Sequence, residues 1–174
     1  MCGDVTGFER FRGEFSRRFA DDPDGNAVQR VLKTCLLLPP DPTSLARLRP
    51  LGERAERWIR AKAMRNEWTT IPLSLWRYRI GDVQGAEMIA RKYAMDEGTG
   101  AGCTTSLRLI LAMSQWRQGR DGEALSSLES ARNVLTDRFS KELLTGNPHD
   151  GFWYDWAFSY VLLKEAEHMV GAQR

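Results

Sequence analysis

Three groups of residues in this chain have the types that chemistry needs, and their spacing decides what each can do. The run Gly98-Thr-Gly-Ala-Gly-Cys-Thr-Thr105 sets small residues ahead of a helical segment, where successive backbone N–H groups could cradle an anion. A Walker loop needs a Lys before its Ser or Thr, and a dinucleotide loop needs a third Gly where Cys103 stands, with a strand ahead of it. Neither pattern is met, so the run reads as a linker, with Thr104 or Thr105 capping the next helix. Cys103 with His149 or His168 has the ingredients of a thiolate pair, but no nucleophile elbow and no orienting residue accompanies them. Glu165 and Glu167 stand two apart and leave a helix on different sides, which does not make an acid/base couple. Cys2, Cys35, Cys103 and the two histidines lack metal-ligand spacing. The expectation is a protein without catalytic residues, metal or cofactor. A small cysteine-dependent enzyme using the Cys103 region is the alternative, and selective alkylation of that thiol would reveal it.

The 174 residues are 42% apolar, 28% charged and 10% aromatic, enough for one domain with a core or for about four to five helical hairpins. Twenty-five basic against 23 acidic side chains leave a net charge of +2. That is no cation surplus for phosphate-based affinity, and it argues against a nucleic-acid partner. Three cysteines at wide spacing suit a reducing compartment. No basic segment followed by an apolar run opens the chain, and nothing approaches the ~20 apolar residues of a membrane span. A cytoplasmic protein without membrane contact is expected. The charge is uneven: residues 61–120 hold nine basic and five acidic side chains, residues 121–174 five and nine.

The elements that would carry any site are helical. Phe8, Phe11, Phe15 and Phe19 recur at spacings of three and four, with Thr6 and Glu9 as a capping box, which predicts a helix over about 6–20. Asp21-Asp-Pro-Asp-Gly25 stops it. Ala27, Val28, Val31, Leu32, Cys35 and Leu36 give a second stripe, ended by Pro39-Pro40, with Cys35 read as a small buried hydrophobe. A third runs from Thr43 to about Met64 with Pro50 as a kink or late start, and a fourth has Pro72 in its first turn. Further helices follow over 83–95, 104–118, 121–137 and 152–171, with Asp82 and Asp121 as caps. No stretch alternates like a strand.

The turn Tyr78-Arg-Ile-Gly-Asp-Val-Gln-Gly-Ala86 is written again as Trp116-Arg-Gln-Gly-Arg-Asp-Gly-Glu-Ala124, 38 residues on. Gly81 and Gly119 would supply a left-handed residue between two helices, and Ala86 and Ala124 would let those helices lie close. This resembles the tetratricopeptide repeat, a helical pair of 34 residues. Leu111, Ala112, Gly119, Ala124, Leu128 and Ala131 match its positions in the second copy. Leu73, Ser74, Gly81, Ala86 and Ala90 match in the first, where Tyr93 replaces the usual Ala. A longer resemblance rests on Arg18-Phe-Ala-Asp-Asp22, Val31-Leu-Lys-Thr-Cys-Leu-Leu-Leu-Pro39, Leu111-Ala-Met113, Trp153-Tyr-Asp-Trp156 and Leu163-Lys-Glu-Ala-Glu167. Those segments are similar to the helical-repeat region at the C-terminus of large Planctomycetes-type bacterial proteins, where it follows a serine/threonine kinase or WD-repeat portion. No kinase motif is present in this chain.

The resemblance implies an all-α fold, a right-handed α-solenoid of about seven or eight helices. Residues 1–66 would form degenerate N-terminal hairpins, 67–98 the first repeat, 101–137 the second and 150–174 a C-terminal capping helix. It implies a non-catalytic scaffold or interaction module that binds a peptide or helix of another protein, an acidic one included, or holds an assembly together. A regulatory or dimerisation appendage of a bacterial kinase is the alternative, and RNA binding, marked by steep salt dependence, is another. By alignment, Leu75, Tyr78, Met113 and Trp116 would face the concave surface as anchors, with Arg79 and Arg117 holding an acidic segment. The Asn residues of a carboxylate-clamp repeat are absent from the aligned positions. A terminal helix could instead fill that surface, and Asp155 or Trp156 could then meet the partner. Homo-oligomerisation stays open.

Overall fold

A computed structural model of the chain describes residues 4–22, 24–61, 67–96, 98–140 and 150–171. Eight helices run through them: α1 (Val5–Arg18), α2 (Gly25–Cys35), α3 (Pro42–Ala61), α4 (Glu67–Arg79), α5 (Val83–Ala94), α6 (Ala101–Arg117), α7 (Asp121–Ser140) and α8 (Trp153–Gly171). No strand occurs among the described residues. The all-α expectation and the helix count stand, with bounds shifted by a few residues; Met64 and residues 141–149, His149 among them, lie outside the described residues.

Several local expectations change. Asp4, not Thr6, caps α1, its Oδ1 accepting from the Gly7 N–H at 2.7 Å. The α1 residues that are buried are Arg12 and Ser16, while the phenylalanine stripe is only half-buried, Phe11 being 40% exposed. Arg12 wins that face because its guanidinium finds carbonyl acceptors at the end of α2. Pro50 sits inside one unbroken helix, and Pro72 is the sixth residue of α4 rather than part of its first turn. Thr104 and Thr105 do not cap α6: they lie inside it, bonding back to the carbonyls of Thr99 and Ala101. Asp121 is the first residue of α7, so it meets the helix dipole instead of capping.

Both turns of the repeated motif form as the sequence implies. Gly81 and Gly119 have φ of +88° and +72°. In each turn the residue after the glycine donates five places back, Asp82 to Arg77 (2.9 Å) and Arg120 to Gln115 (3.0 Å), the closure that satisfies the last carbonyls of a helix. Ala86 and Ala124 are fully buried, and the Ser74 hydroxyl donates to the Ala86 carbonyl at 2.8 Å, a distance that only a small-residue crossing allows.

Every pair of helices whose backbones approach closely is one or two places apart in the chain, and side chains alone link α8 to α2 and α4. Helix α2 packs on α4, α4 on α6 and α6 on α8, making one row, with α3, α5 and α7 each set against two successive members of it. Val28, Leu32, Leu75, Leu107, Leu111 and Leu162 run through a single apolar core along this row. Tryptophans act as wedges: the Trp76 indole covers Gly52 of α3, and Trp58 covers Gly25 of α2, so neither glycine has room for a Cβ.

Candidate partner-binding groove

The six residues aligned as anchors are not gathered on an open surface. Leu75, Tyr78 and Met113 are buried in the core, and Trp116 is half-buried against it. Helix α8 accounts for much of this. The Tyr78 hydroxyl donates to Met169 Sδ at 3.2 Å, and Arg79, its side chain only 3% exposed, pairs with Glu165 through both terminal nitrogens, Nη2 to Oε2 at 2.7 Å. Burial pushes the Tyr78 hydroxyl up to about 12, against the pull of Arg117 and Arg79. Arg117 remains exposed, its guanidinium 4.4 Å above the Tyr78 ring. An outside helix or peptide expected on this face would meet the chain's own α8.

The open groove lies elsewhere in the same row, between α2 and α8 with the start of α4 as floor, and encloses about 750 Å³. Its α2 wall is Asn26, Gln29, Arg30, Lys33, Thr34 and Leu37, spaced at three and four so that they share one side of the helix. This is the polar side left over when Val28, Val31, Leu32 and Cys35 turn to the core. The opposite wall is aromatic: Phe152, Trp153, Tyr154 and Phe158 from α8 and its approach, facing Trp68 of α4.

One ion pair spans the groove. Lys33 Nζ stands 2.8 Å from Asp155 Oδ1, with the two side chains 18% and 7% exposed, and lies 4.7 Å from the Phe158 ring centre and 5.7 Å from that of Trp68. Asp155 Oδ2 also accepts the Phe152 N–H at 3.1 Å, fixing the entry into α8. The lysine's charge is therefore neutralised in place, and its stem and ammonium join two aromatic rings into one surface.

Beyond that pair the groove is open to solvent. Trp153 and Tyr154 are 66% and 52% exposed, and Phe152, 37% exposed, stacks on Tyr154 with ring centres 5.5 Å apart. Gln29 is 8% exposed, and its side-chain amide, which reaches solvent, makes no hydrogen bond to any described residue. Arg30 is exposed and makes no ion pair among the described residues. Sequence reading missed the α2 wall, although its polar spacing was legible beside the apolar stripe. The capping helix expected over 150–174 is α8, with Asp155 in its first turn. Trp156 itself is buried.

The other candidates lack a site. The Gly102 N–H already donates to the Asp150 carbonyl at 2.9 Å, and an added Cβ would sit 2.6 Å from that oxygen, so the glycine run serves close packing. Cys103 is fully buried, and burial pushes the Cys35 thiol up to about 11. No cluster of three or more metal-ligating side chains occurs among the described residues, and no described helix is long and apolar enough to cross a membrane.

Fold and groove together define an all-helical protein whose row of packed helices carries an aromatic-walled cleft. No protein family, curated protein or solved structure matches the chain.

Proposed function

We propose that this chain is a non-catalytic interaction module of the reducing cytoplasm, a right-handed α-solenoid of tetratricopeptide-like hairpins that holds a peptide or helix segment of another protein. The close backbone approach of each helix to its first and second neighbours, and the two matching glycine turns, support the solenoid reading, while the side chains of α8 also reach α2 and α4. The observation that carries the function is the α2–α8 groove, where amphipathic aromatic side chains stand in solvent beside the polar side of α2. Rigid, exposed aromatics offer large contact area at small entropic cost, as binding anchors do. The site thus moves from the α4 and α6 residues Leu75, Tyr78, Arg79, Met113, Trp116 and Arg117 to the next open face of the same row.

The test is selection of a displayed random-peptide library on the folded chain and on a Trp153→Ser, Tyr154→Ser double variant. Peptides retained by the wild type and lost by the variant support the module. Retention of no peptide, or equal retention by both proteins, overturns it.

A further inference from the structure

A second cavity, of about 470 Å³, opens between α1 and α3 and shares no lining residue with the α2–α8 groove. Gly13, Ser16, Arg17 and Ala20 line it from α1 and its end, and Arg47 lines it from α3. The first four recur at spacings of three and four, so one side of the helix forms the wall. That wall is low, and a Cβ built on Gly13 meets nothing within 4 Å. Arg17 and Arg47 are exposed, and neither has an ion pair or hydrogen bond with a described residue. Glu14 stands three places before Arg17, yet it makes no ion pair with it and does not line the cavity. Glu9, the carboxylate that ties α1 to α3, is engaged on both oxygens, by Arg12 and by the Ser44 hydroxyl at 3.0 Å. Two cations facing one cavity repel each other, and an anion seated between them removes that cost.

We infer that the α1–α3 cavity binds a small phosphate-bearing molecule, its phosphate held between Arg17 and Arg47 and the rest of it lying along Gly13 and Ala20. A guanidinium is a planar fork of donors that grips a carboxylate or a phosphate through two bonds. The double charge decides between them: a phosphate monoester carries about −1.5 to −2 at neutral pH, whereas a carboxylate carries a single negative charge. The cavity falls in the size range of small-molecule sites and has room beyond one phosphate. Ser16 adds a hydroxyl, which donates to the Gly13 carbonyl at a long 3.2 Å and is free to turn to the ligand. Arg54 donates to the Ala20 carbonyl and so fixes α3 against the end of α1, holding the two walls apart at a set distance. The inference goes beyond the interaction-module reading and does not depend on it.

The experiment titrates inorganic pyrophosphate into the folded chain by calorimetry at fixed ionic strength, and repeats the titration with Arg17→Gln, Arg47→Gln, Gly13→Leu and Arg49→Gln. Arg49 is an exposed α3 residue outside the cavity lining, so its removal changes net charge as Arg47→Gln does without touching the site. Gly13→Leu keeps every charge and fills the cavity; it lies inside α1, where leucine is the better helix former, and circular dichroism melts verify that each variant folds. Expected is a loss of affinity of about tenfold in Arg17→Gln, Arg47→Gln and Gly13→Leu, with Arg49→Gln binding as wild type does. Citrate, which offers carboxylates alone, should bind more weakly than pyrophosphate. No binding of pyrophosphate by the wild type, an equal loss in Arg49→Gln, or undiminished binding by Gly13→Leu would overturn the inference, the last two assigning the affinity to general surface charge. Equal affinity for citrate would overturn the phosphate assignment. Binding to vesicles containing phosphatidic acid that Gly13→Leu leaves intact, with no binding of pyrophosphate, would place the attraction on a membrane surface and overturn the cavity. Each of these failures leaves peptide binding by the α2–α8 groove standing, since the two tests share neither ligand nor residue.

Discussion

Arg12 of α1 and Arg79 of α4 close the same helix end from two sides. Arg12 donates to the carbonyls of Cys35 (2.8 Å) and Leu38 (2.6 Å), and Arg79 to those of Leu36 (3.1 Å from Nη2) and Leu37 (3.4 Å). Four successive carbonyls, those of the last α2 residue Cys35, its C-cap Leu36, and Leu37 and Leu38 just beyond it, are thus taken by two guanidinium groups at the negative end of the helix dipole. Each cation has its own carboxylate, Glu9 for Arg12 and Glu165 for Arg79, so neither is buried unpaired. Burial lowers the Arg12 pKa from its ordinary value, against the pull of Glu9. Because α2 is one wall of the groove, this double cap also sets where Gln29 and Arg30 stand.

Truncating either arginine should therefore cost more than an exposed ion pair. Arg12→Ala is expected to lower unfolding free energy by roughly 3 kcal/mol, because the Cys35 and Leu38 carbonyls and Glu9 lose their partner together. Arg12→Lys should recover only part of this, since one ammonium cannot copy a planar fork that reaches two carbonyls. Urea unfolding of the three proteins checks the order; equal stability of all three would refute the capping role.

The glycine turns make a prediction with opposite signs at neighbouring positions. Gly119 has φ of +72° and free space around a built Cβ, so Gly119→Ala meets only backbone strain, and about 1 kcal/mol of destabilisation is expected; Gly81→Ala should match it. Gly122, three residues on, lies inside α7 with equal space and ordinary φ. Gly122→Ala should leave stability unchanged or raise it by a few tenths of a kcal/mol, up to about 1. Thermal melts that rank the three variants otherwise would contradict the turn geometry.

What could be read in the sequence was local. Glycine conformation, the capping Asp82 and the apolar stripe of α2 are set by a few adjacent residues, and these emerged as expected. Periodicity also located α1 and its inward side, since Phe15 and Phe19 pack against the core. It could not say that Arg12, on that same side, is the more deeply buried, because its acceptors Cys35 and Leu38 belong to another part of the chain. Lys33 and Asp155 are 122 residues apart, and no local pattern announces that their helices form two walls of one groove. Tyr78 and Trp116, and Arg79 and Arg117, precede their positive-φ glycines at the same spacing. Whether the surface expected of them stays open depended on α8, and α8 covers Tyr78 and Arg79.

The second repeat turn is tied to the first hairpin by Glu87, and this makes its stability respond to acid. Burial pushes the Glu87 carboxyl up, but hydrogen bonds from Arg91, Gln118 and Arg120 outweigh it and hold the pKa below the ordinary value. A carboxylate depressed in the folded state adds stability above its unfolded pKa, and that stability is lost as pH falls through the folded value. Glu87→Gln is expected to be less stable than wild type by about 1–2 kcal/mol at neutral pH, with the gap closing as the pH falls below the ordinary glutamate range. Urea midpoints of both proteins across that window test it; a gap independent of pH would assign the effect to packing.

At the alkaline end Cys35 sets the response. It is fully buried between α1 and the core, with Sγ 4.0 Å from the Arg12 carbonyl, and burial pushes its pKa up to about 11 despite the nearby Arg12 guanidinium. The unfolded thiol ionises at a lower pH, so unfolding releases a proton above that value. The neutral thiol's contribution is full below the unfolded pKa and is lost as pH rises through the folded one. Stability should therefore fall between about pH 8.5 and 11. Cys35→Ala should be less stable at neutral pH because of the space it leaves, but should show a shallower alkaline decline. Alkylation supplies an independent readout: at pH 8 the folded protein should protect Cys35, and labelling should follow global unfolding, speeding up with urea in step with loss of the helical signal. Rapid labelling of Cys35 in the native protein would mean that the α1–α2 contact opens on its own, which the Arg12 bonds to Cys35 and Leu38 argue against.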